Sequence, residues 1–316
     1  NKADNDDRLF MANSYYSLGI DNIYPISSLS GSGTGDLLDS LVELLPEGEL
    51  VLDDNIPKIA FIGRPNAGKS TICNTLLGHD RNIVTDIPGT TRDTLYVRYK
   101  SFNQDLYLVD TAGVRKKSKI TEDIEFYSVM RSLRAIESVD VVALVVDATR
   151  GIEAQDMNLF GLAQKNGKGI VVIINKWDLI EKDTQTTKHY EALVKEKLAP
   201  FVDVPILFVS AITKQRVLKA LSAMNSVYDS MNRKITTSKL NDFFLPIMEK
   251  TPPPSTKGKY IKIKYVTQLP TNCPSFAFFC NLPQYIPDSY KRFLENKLRA
   301  NYDFSGIPIR LYFRKK

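Results

Sequence analysis

The chain has little cysteine and little histidine, and each scarcity excludes a kind of chemistry. Its 316 residues include three cysteines, an odd number without C-x-x-C spacing, so neither a disulfide framework nor a zinc site is supported. Only two histidines are present, which makes imidazole acid–base catalysis a poor explanation of function. No apolar run reaches the length of a membrane helix and no secretory signal is visible, so we expect a cytoplasmic protein that binds no membrane.

The overall composition is ordinary for a globular protein, but the charge is unevenly distributed. The length suggests about two domains. Residues 252–316 contain 12 lysines and arginines against three acidic residues, a net charge of +9, whereas the whole chain carries +6. Such a basic tail predicts an acidic partner, and RNA is the natural candidate. The alternative is a basic domain that packs against a more acidic remainder of the chain.

Residues 63–70 form a complete phosphate-binding pattern. The letters GRPNAGKS fit G-x-x-x-x-G-K-[ST], after an apolar run at 59–62 that predicts a buried strand and before a predicted helix at 70–77. Main-chain N–H groups of such a loop cradle phosphates, Lys69 reaches the outer phosphates, and the Ser70 hydroxyl ligates Mg²⁺. The alternative is a glycine-rich turn that only joins strand to helix. The predicted binding residues are Gly63, Asn66, Ala67, Gly68, Lys69, Ser70 and Thr71.

A second motif, N-K-x-D at 175–178, follows a predicted strand at 170–174 and favours guanine as the bound base. The Asp178 carboxylate can accept hydrogen bonds from both N1–H and the exocyclic amino group of guanine, a donor pair that adenine lacks. The Asn175 amide can meet the purine edge, and the Lys176 stem can lie along the ring. Taken alone the motif is weak, because a polar strand end can carry the same letters.

The end of a further predicted strand, at 205–209, supports the same base. Ser210 and Ala211 follow it, and a main-chain N–H there can meet the guanine O6 atom. In combination with the phosphate loop, these two guanine signals disfavour an ATPase or a kinase.

A D-x-x-G motif supplies the remaining signals, directly after a predicted strand at 106–109. The Asp110 carboxylate can hold Mg²⁺ through water, and the Gly113 N–H can face a γ-phosphate. Upstream, Thr91 lies where a loop can deliver a hydroxyl to the same metal. The four signals in this order predict a GTPase that binds GTP and GDP. The predicted metal ligands are Ser70, Thr91 and Asp110.

These motifs resemble those of the TrmE–Era–EngA class of bacterial GTPases. The matching segments are GRPNAGKST at 63–71, IVTDIPGTTRD at 83–93, DTAGVRKK at 110–117, NKWD at 175–178 and SAIT at 210–213. Within that class the chain is similar, over essentially its whole length, to the EngA/Der family, whose members carry two tandem G domains and a KH-like tail. The resemblance implies ribosomal RNA and the large ribosomal subunit as partners, and we expect a monomer that binds no DNA.

The chain opens on a second N-K-x-D motif, at residues 1–4. The letters YPISSLSG at 24–31 and a predicted helix from Gly35 follow it, which repeats the order found after the later motif. No phosphate loop precedes it, so we interpret residues 1–46 as the remnant of a truncated first G domain. We expect Asn1, Lys2 and Asp4 to form half a guanine pocket that binds neither phosphates nor Mg²⁺. A chance NKAD in a loop is the alternative.

The residue after D-x-x-G is Val114, which cannot orient an attacking water as a glutamine does at this position in Ras-like enzymes. The resemblance implies a class in which water is positioned by other means and an asparagine matching Asn66 helps bind K⁺. We therefore expect slow GTP hydrolysis stimulated by K⁺. The alternative is that Asn66 only braces its loop. The predicted catalytic residues are Lys69, Thr91, Gly113 and Asn66.

The predicted fold is α/β, a P-loop GTPase with a doubly wound, mostly parallel sheet. Strands and helices alternate over 58–232, and a strand at 94–100 is expected to pair antiparallel at the sheet edge. We expect the remnant at 1–46 and a linker at 47–57 to precede this domain, and an α+β KH-like domain at 233–316 to follow it.

The tail has the element order α-β-β-α-β, which resembles the KH-like domain of EngA. Its predicted elements are a helix at 238–249 with a kink at Pro246, strands at 259–267 and 275–281, a helix at 288–302 and a strand at 307–313. The tail contains no G-x-x-G, so the usual KH clamp on single-stranded RNA is missing. Basic strand or helix faces, or contacts to protein, would have to serve instead.

The sequence therefore predicts a switch in assembly of the large ribosomal subunit, in which bound GTP orders the loops around Thr91 and Gly113 and hydrolysis releases them. One alternative is a non-enzymatic KH-type RNA-binding module with a scaffold G domain. Another is a partner-dependent GTPase of RNA modification, like TrmE.

Overall fold

The structure is a computed structural model that describes residues 1–19, 22–44, 53, 55–78, 83–88, 95–109, 132–255, 258 and 260–315. The chain divides into two compact units, residues 1–52 and 53–316, and the predicted domains at 58–232 and 233–316 both lie in the second. Within the described ranges, no helix combines the length and the apolar character needed to span a bilayer.

The first unit consists of helix α1 (Asp6–Ala12), a 3₁₀ helix (Asn13–Leu18) and helix α2 (Thr34–Leu44). The side chain of Asn5 caps α1 by accepting the Arg8 N–H at 3.0 Å. Helix α2 follows the repeated motif, as predicted, and begins one residue before the predicted start at Gly35.

The second unit begins with a seven-stranded sheet and its helices. Its strands are β1 (Lys58–Ile62), β2 (Ile83–Pro88), β3 (Leu95–Ser101), β4 (Gln104–Val109), β5 (Val141–Asp147), β6 (Gly169–Asn175) and β7 (Ile206–Phe208). Its helices are α3 (Lys69–Leu77), α4 (132–138), α5 (Ala154–Lys165), α6 (Thr186–Leu198) and α7 (Val217–Met231).

The strand order is β2-β3-β4-β1-β5-β6-β7, with parallel pairing from β4 onward. Strand β3 pairs antiparallel, as predicted, but its predicted place at the edge was wrong, because β2 pairs with its outer side. The missed strand ends at Pro88, a residue that strands tolerate at a sheet edge, where no ladder hydrogen bond is lost.

Strands β5 and β6 carry the centre of the core. Every residue of both strands is buried, because helices cover both faces of a parallel sheet. The carboxyl ends of β1, β5 and β6 therefore meet at one edge of the sheet, and that edge places Gly63, Asp147 and Asn175 next to one another.

The KH-like region contains helix α8 (Thr237–Lys250), strands β8 (Ile263–Leu269) and β9 (Ser275–Cys280), helix α9 (Asp288–Asn301) and strand β10 (Arg310–Lys315). Its three strands have the order β10-β9-β8, and the predicted α-β-β-α-β order is confirmed. Helix α8 runs through Pro246. Strand β10 begins three residues later than predicted, after Pro308, which cannot donate to a ladder.

The KH-like region joins the sheet at the amino end of β6. The Ile170 N–H donates to the Gly306 carbonyl at 2.7 Å, and the Gly306 N–H donates to the Asp203 carbonyl at 2.7 Å. The Arg299 guanidinium lies 5.0 Å from the centre of the Phe201 ring and contacts the Asp203 carboxylate. This junction therefore lies at the end of β6 opposite to Asn175.

Candidate nucleotide-binding site

The loop between β1 and α3 has the backbone that the phosphate-loop pattern demands. Gly63 has φ 142°, and a Cβ on it would lie 2.2 Å from the Val145 carbonyl oxygen. Gly68 has φ 96°, and a Cβ there would lie 2.1 Å from the Asn175 amide nitrogen. Both positions therefore require glycine, the first for close approach to β5 and the second for close approach to the N-K-x-D motif.

The chemistry of Lys69 fits an anion. Its Nζ donates to the Gly63 carbonyl at 2.8 Å and to the Arg64 carbonyl at 2.7 Å. Burial lowers the pKa of this ammonium, opposed by attraction to Asp156. A phosphate near the first turn of α3 would add the negative charge that this cation needs. Ser70 and Thr71 are exposed in that turn.

Asn175 connects three segments of the site. Its side chain is 2% exposed; the Nδ2 donates to the Ala67 carbonyl at 2.9 Å, and the Oδ1 accepts the Ala211 N–H at 3.1 Å. One amide therefore joins the phosphate loop, the end of β6 and the loop after β7. The Thr75 hydroxyl adds a second connection by donating to the Ala211 carbonyl at 2.9 Å.

Replacing Asn175 with alanine should lower the free energy of unfolding by about 2 kcal/mol. The replacement leaves the Ala67 carbonyl and the Ala211 N–H, both buried, without their hydrogen-bond partner. GDP affinity should fall as well, since the two ends of the site lose their link. Denaturant unfolding and GDP titration would measure both. Asn166→Ala is the matched control, because exposed Asn166 also donates to a carbonyl, that of Leu162. Equal losses in the two variants would contradict this role.

The residues at 176–178, which we expect to recognise the base, come directly after Asn175 in the chain. Lys176 has φ 63°, and its Nζ contacts the Asp147 carboxylate at 2.5 Å. Burial would raise the pKa of Asp147, but hydrogen bonds from Lys176 and Thr149 leave it lowered. The Asp178 carboxylate is exposed and makes no hydrogen bond within the described residues, so both oxygens remain available. Buried Trp177 fixes this turn against Phe208.

In the loop after β7, the two main-chain N–H groups that we expected to be available for guanine both make hydrogen bonds within the protein. Ser210 N–H donates to the Gln215 carbonyl at 3.2 Å, and Ala211 N–H donates to Asn175. A bond from Ala211 to the guanine O6 atom would therefore have to be shared with Asn175.

Sequence reasoning missed Arg64, Asp147 and Asp156. Asp147 ends an apolar strand, the same signal that singled out Asn175, so it could have been found. The contact between Arg64 and Asp156 joins residues far apart in sequence, and no local pattern indicates it. The predicted residues Thr91, Asp110, Gly113 and Val114 lie outside the described residues.

The first unit repeats the geometry of the guanine end. Lys2 has φ 70°, and the Ala3 N–H donates to the Ile26 carbonyl at 3.0 Å, as the Trp177 N–H donates to Val209 at 3.1 Å. Asn1 Oδ1 accepts the Ser28 N–H at 3.1 Å, the distance found between Asn175 and Ala211. Asp4 differs from Asp178, because it is paired with Arg8 at 2.6 Å.

The fold and this site define the class of protein: a P-loop GTPase followed by a KH-like domain. Residues 58–176 match a family model described as a 50S ribosome-binding GTPase, and residues 234–314 match the C-terminal KH-domain-like model of EngA bacterial GTPase enzymes. GTPase Der of Christiangramia forsetii is 58% identical over 316 residues, which are all of this chain and 73% of that relative. GTPase Der of Porphyromonas gingivalis is 56% identical, with the same two shares. The chain belongs to the GTPase Der family.

Among solved structures, Era with MgGDPNP and nucleotides 1506–1542 of 16S ribosomal RNA covers 83% of this chain and 93% of its own, with a TM-score of 0.40 and 18% identity. A probable GTP-binding protein engB covers 54% of this chain and 97% of its own, with a TM-score of 0.39 and 21% identity.

The family membership confirms the predicted resemblance, the predicted fold class and GTP hydrolysis as the activity. GTP and GDP are its ligands, and a GTPase family ordinarily uses Mg²⁺. Neither alternative, the non-enzymatic RNA-binding module or the GTPase of RNA modification, is favoured.

Proposed function

We propose that residues 53–316 bind and hydrolyse GTP at the carboxyl edge of the seven-stranded sheet. The observation that carries this proposal is the Asn175 side chain, which ties the phosphate loop to the guanine loop. The proposed phosphate-binding residues are Gly63, Asn66, Ala67, Gly68, Lys69, Ser70 and Thr71. The proposed guanine-binding residues are Asn175, Lys176, Asp178, Ser210 and Ala211. Ser70, Thr91 and Asp110 are the proposed Mg²⁺ ligands.

In this proposal the residues of the chain position the nucleotide and stabilise the negative charge on its phosphates. Main-chain N–H groups of the loop at 63–68 and the Lys69 ammonium stabilise negative charge on the phosphates, and Gly113 and Thr91 respond to the γ-phosphate. Mg²⁺, when bound, neutralises phosphate charge. Loss of the γ-phosphate would release both loops, so the bound nucleotide sets which of two states is populated.

We further propose the large ribosomal subunit as partner of this switch, in the cytoplasm, with the chain acting as a monomer. The family model for residues 58–176 carries the description 50S ribosome-binding, which supports this partner. The proposed organisation is the guanine end of a first G domain at 1–46, a linker at 47–57, a second G domain at 58–232 and a KH-like domain at 233–316. Asn1, Lys2 and Asp4 would contribute to a guanine pocket.

The distribution of charge in the KH-like domain supports RNA as its ligand. All three acidic residues of the basic tail lie on or just after α9: Asp288 pairs with Lys291, Glu295 pairs with Arg299, and Asp303 accepts the Ser305 N–H. Strands β8, β9 and β10 carry no acidic residue. The sheet therefore offers RNA a surface without carboxylates.

One row of the sheet combines cations with rings. Tyr265 and Phe279 stack across strands with centroids 4.4 Å apart, and Arg314 lies opposite Phe279 on β10. Arg314 is exposed, as is Lys264, which precedes Tyr265 on β8, and Tyr312 is 40% exposed. Cations beside aromatic rings are the usual means of holding single-stranded RNA, so we propose this strand surface in place of the absent G-x-x-G loop.

Replacing both Lys264 and Arg314 with glutamine should weaken binding of a single-stranded oligouridine. The slope of log affinity against log salt should fall by about 0.7 for each phosphate that the variant no longer neutralises. Fluorescence anisotropy over a range of KCl concentrations measures both quantities. The matched control replaces exposed Arg292 and Lys297 of α9 with glutamine, which removes the same charge from the helix side. Equal losses in the two double variants would indicate non-specific attraction and contradict the strand surface.

K⁺ stimulation is tested at Asn66, which is exposed in the phosphate loop and has φ 61°. We expect GTP turnover to be at least about tenfold faster in K⁺ than in Na⁺ at matched ionic strength, because a fixed cation stabilises charge that develops on the phosphates. Asn66→Ala should lose this difference. Equal turnover of the unchanged chain in both salts would end the proposal.

A further inference from the structure

The Arg64 side chain points from the phosphate loop into the segment that joins β5 to α5. Its guanidinium is buried, with a residue exposure of 6%. Nε lies 2.8 Å from an Asp156 carboxylate oxygen, Nη1 contacts the Glu153 carboxylate, and Nη2 donates to the Gly151 carbonyl at 2.7 Å. All three partners lie within the six residues at 151–156, so one side chain fastens the loop to a single short segment.

These contacts of Arg64 would cost free energy if their only role were to stabilise the fold. Glu153 and Asp156 form the capping box at the start of α5, so a cation is buried at the positive end of a helix. Asp156 is fully buried, and its Oδ1 has no hydrogen-bond partner among the described residues. Burial raises the pKa of this carboxyl, opposed by its hydrogen bond to the Glu153 N–H and by Arg64. An apolar pair of similar volume would often stabilise the fold as well or better.

The contacts of the Arg64 side chain fix the main chain of the phosphate loop. The Arg64 carbonyl accepts Lys69 Nζ at 2.7 Å and the Ala67 N–H at 3.4 Å, so the position of Arg64 sets both the curve of the loop and the place of the lysine. The neighbouring Gly63 lies against the Val145 carbonyl of β5, and β5 leads directly into the segment that holds the guanidinium.

We propose that Arg64, held by Asp156 and Glu153, is a positioning residue that keeps the phosphate loop shaped for the nucleotide. This role rests on the proposed function of the same loop. Arg64 touches no phosphate in this proposal; it acts through the main chain and through Lys69. Local conflicts of this kind, a buried cation at a helix start and an under-satisfied carboxylate, are expected at functional sites.

Asp156→Asn is the most informative variant, because asparagine keeps the size of the side chain and can still accept the Glu153 N–H. We expect GDP to dissociate about tenfold faster from this variant, as measured by stopped-flow release of a fluorescent GDP. Hydrogen exchange followed by mass spectrometry should be faster in the peptide that covers 63–70. It should be unchanged in peptides from β5 and β6. Arg64→Lys, which keeps the charge and loses the planar fork, should give an intermediate release rate.

Glu295→Gln is the matched control, since Glu295 is also the partner of an arginine, the half-buried Arg299, but lies in the KH-like region and away from the loop. It should leave GDP release unchanged. Unchanged release and exchange in Asp156→Asn would overturn the proposal, and so would faster exchange spread evenly over β5, β6 and the loop. Failure of the proposed function would look different, because the unmodified chain would then bind no GDP.

Discussion

Asp178→Asn is expected to lower GDP affinity by at least about a hundredfold and to turn base preference toward xanthine. The exposed carboxylate has both oxygens available for the two N–H donors of guanine. An amide would set its own NH₂ group against one of those donors and leave it unpaired, and sites built around such bonds discriminate strongly. Xanthine carries a carbonyl where guanine carries its amino group, so it can accept from the new amide.

Calorimetric titration of GDP, XDP and ADP into both proteins measures this preference. Glu181→Gln is the control, because it removes one exposed negative charge three residues away and should change none of the affinities. An Asp178→Asn variant that still prefers GDP to XDP would contradict the assignment of the N-K-x-D motif.

Lys69→Met is expected to lower affinity for GDP and GTP by about a hundredfold while leaving the nucleotide-free fold as stable as before, or more so. The ammonium has a pKa lowered by burial and no carboxylate within salt-bridge distance among the described residues, so relief of its unfavourable burial offsets the loss of its two bonds to carbonyls. Loss of binding without loss of stability is the pattern expected of a residue kept for a ligand.

Lys168→Met provides a close comparison. Lys168 is likewise partly buried with a pKa lowered by burial, and its Nζ also donates to two carbonyls, those of Glu137 and Val139. It lies at the amino end of β6, so its replacement should leave GDP affinity unchanged. Thermal unfolding and GDP titration of the two variants separate the roles. Equal GDP affinities in Lys69→Met and the unchanged chain would contradict the phosphate-loop assignment.

The sequence predicted the elements that local patterns specify. The glycines at 63 and 68, the apolar runs before the motifs and the order of elements in the tail each depend on a few neighbouring residues, and the structure places them as expected. Strand β2 was missed, because its polar residues and its terminal proline give no apolar run. Its absence from the prediction also put β3 at the wrong place in the sheet.

Long-range contacts in the site could not be predicted in the same way. Asn175 was assigned to the purine edge from its motif, but its two bonds to Ala67 and Ala211 depend on how β1, β6 and β7 align. The Arg64 guanidinium and the Asp156 carboxylate meet only because β1 and β5 are neighbours. The order of the strands in the sheet brings such residues together, and the hydrophobic periodicity along the chain does not specify that order.

The repeat at the front of the chain was predicted as an order of motifs and not as a set of bonds. Asn1 accepts a main-chain N–H and Lys2 has a left-handed backbone, as Asn175 and Lys176 do, although the two segments lie in different units. The shared letters indicated that the two segments would be alike, whereas each asparagine bond joins the motif to a loop much further along the chain.

Side-by-side titration of GDP and ADP into the intact, folded chain with Mg²⁺ tests the central claim most directly. We predict a GDP site in the second unit and affinity for ADP at least about a hundredfold weaker, since Asp178 has no donor pair to meet on adenine. Equal affinities for the two nucleotides would contradict it.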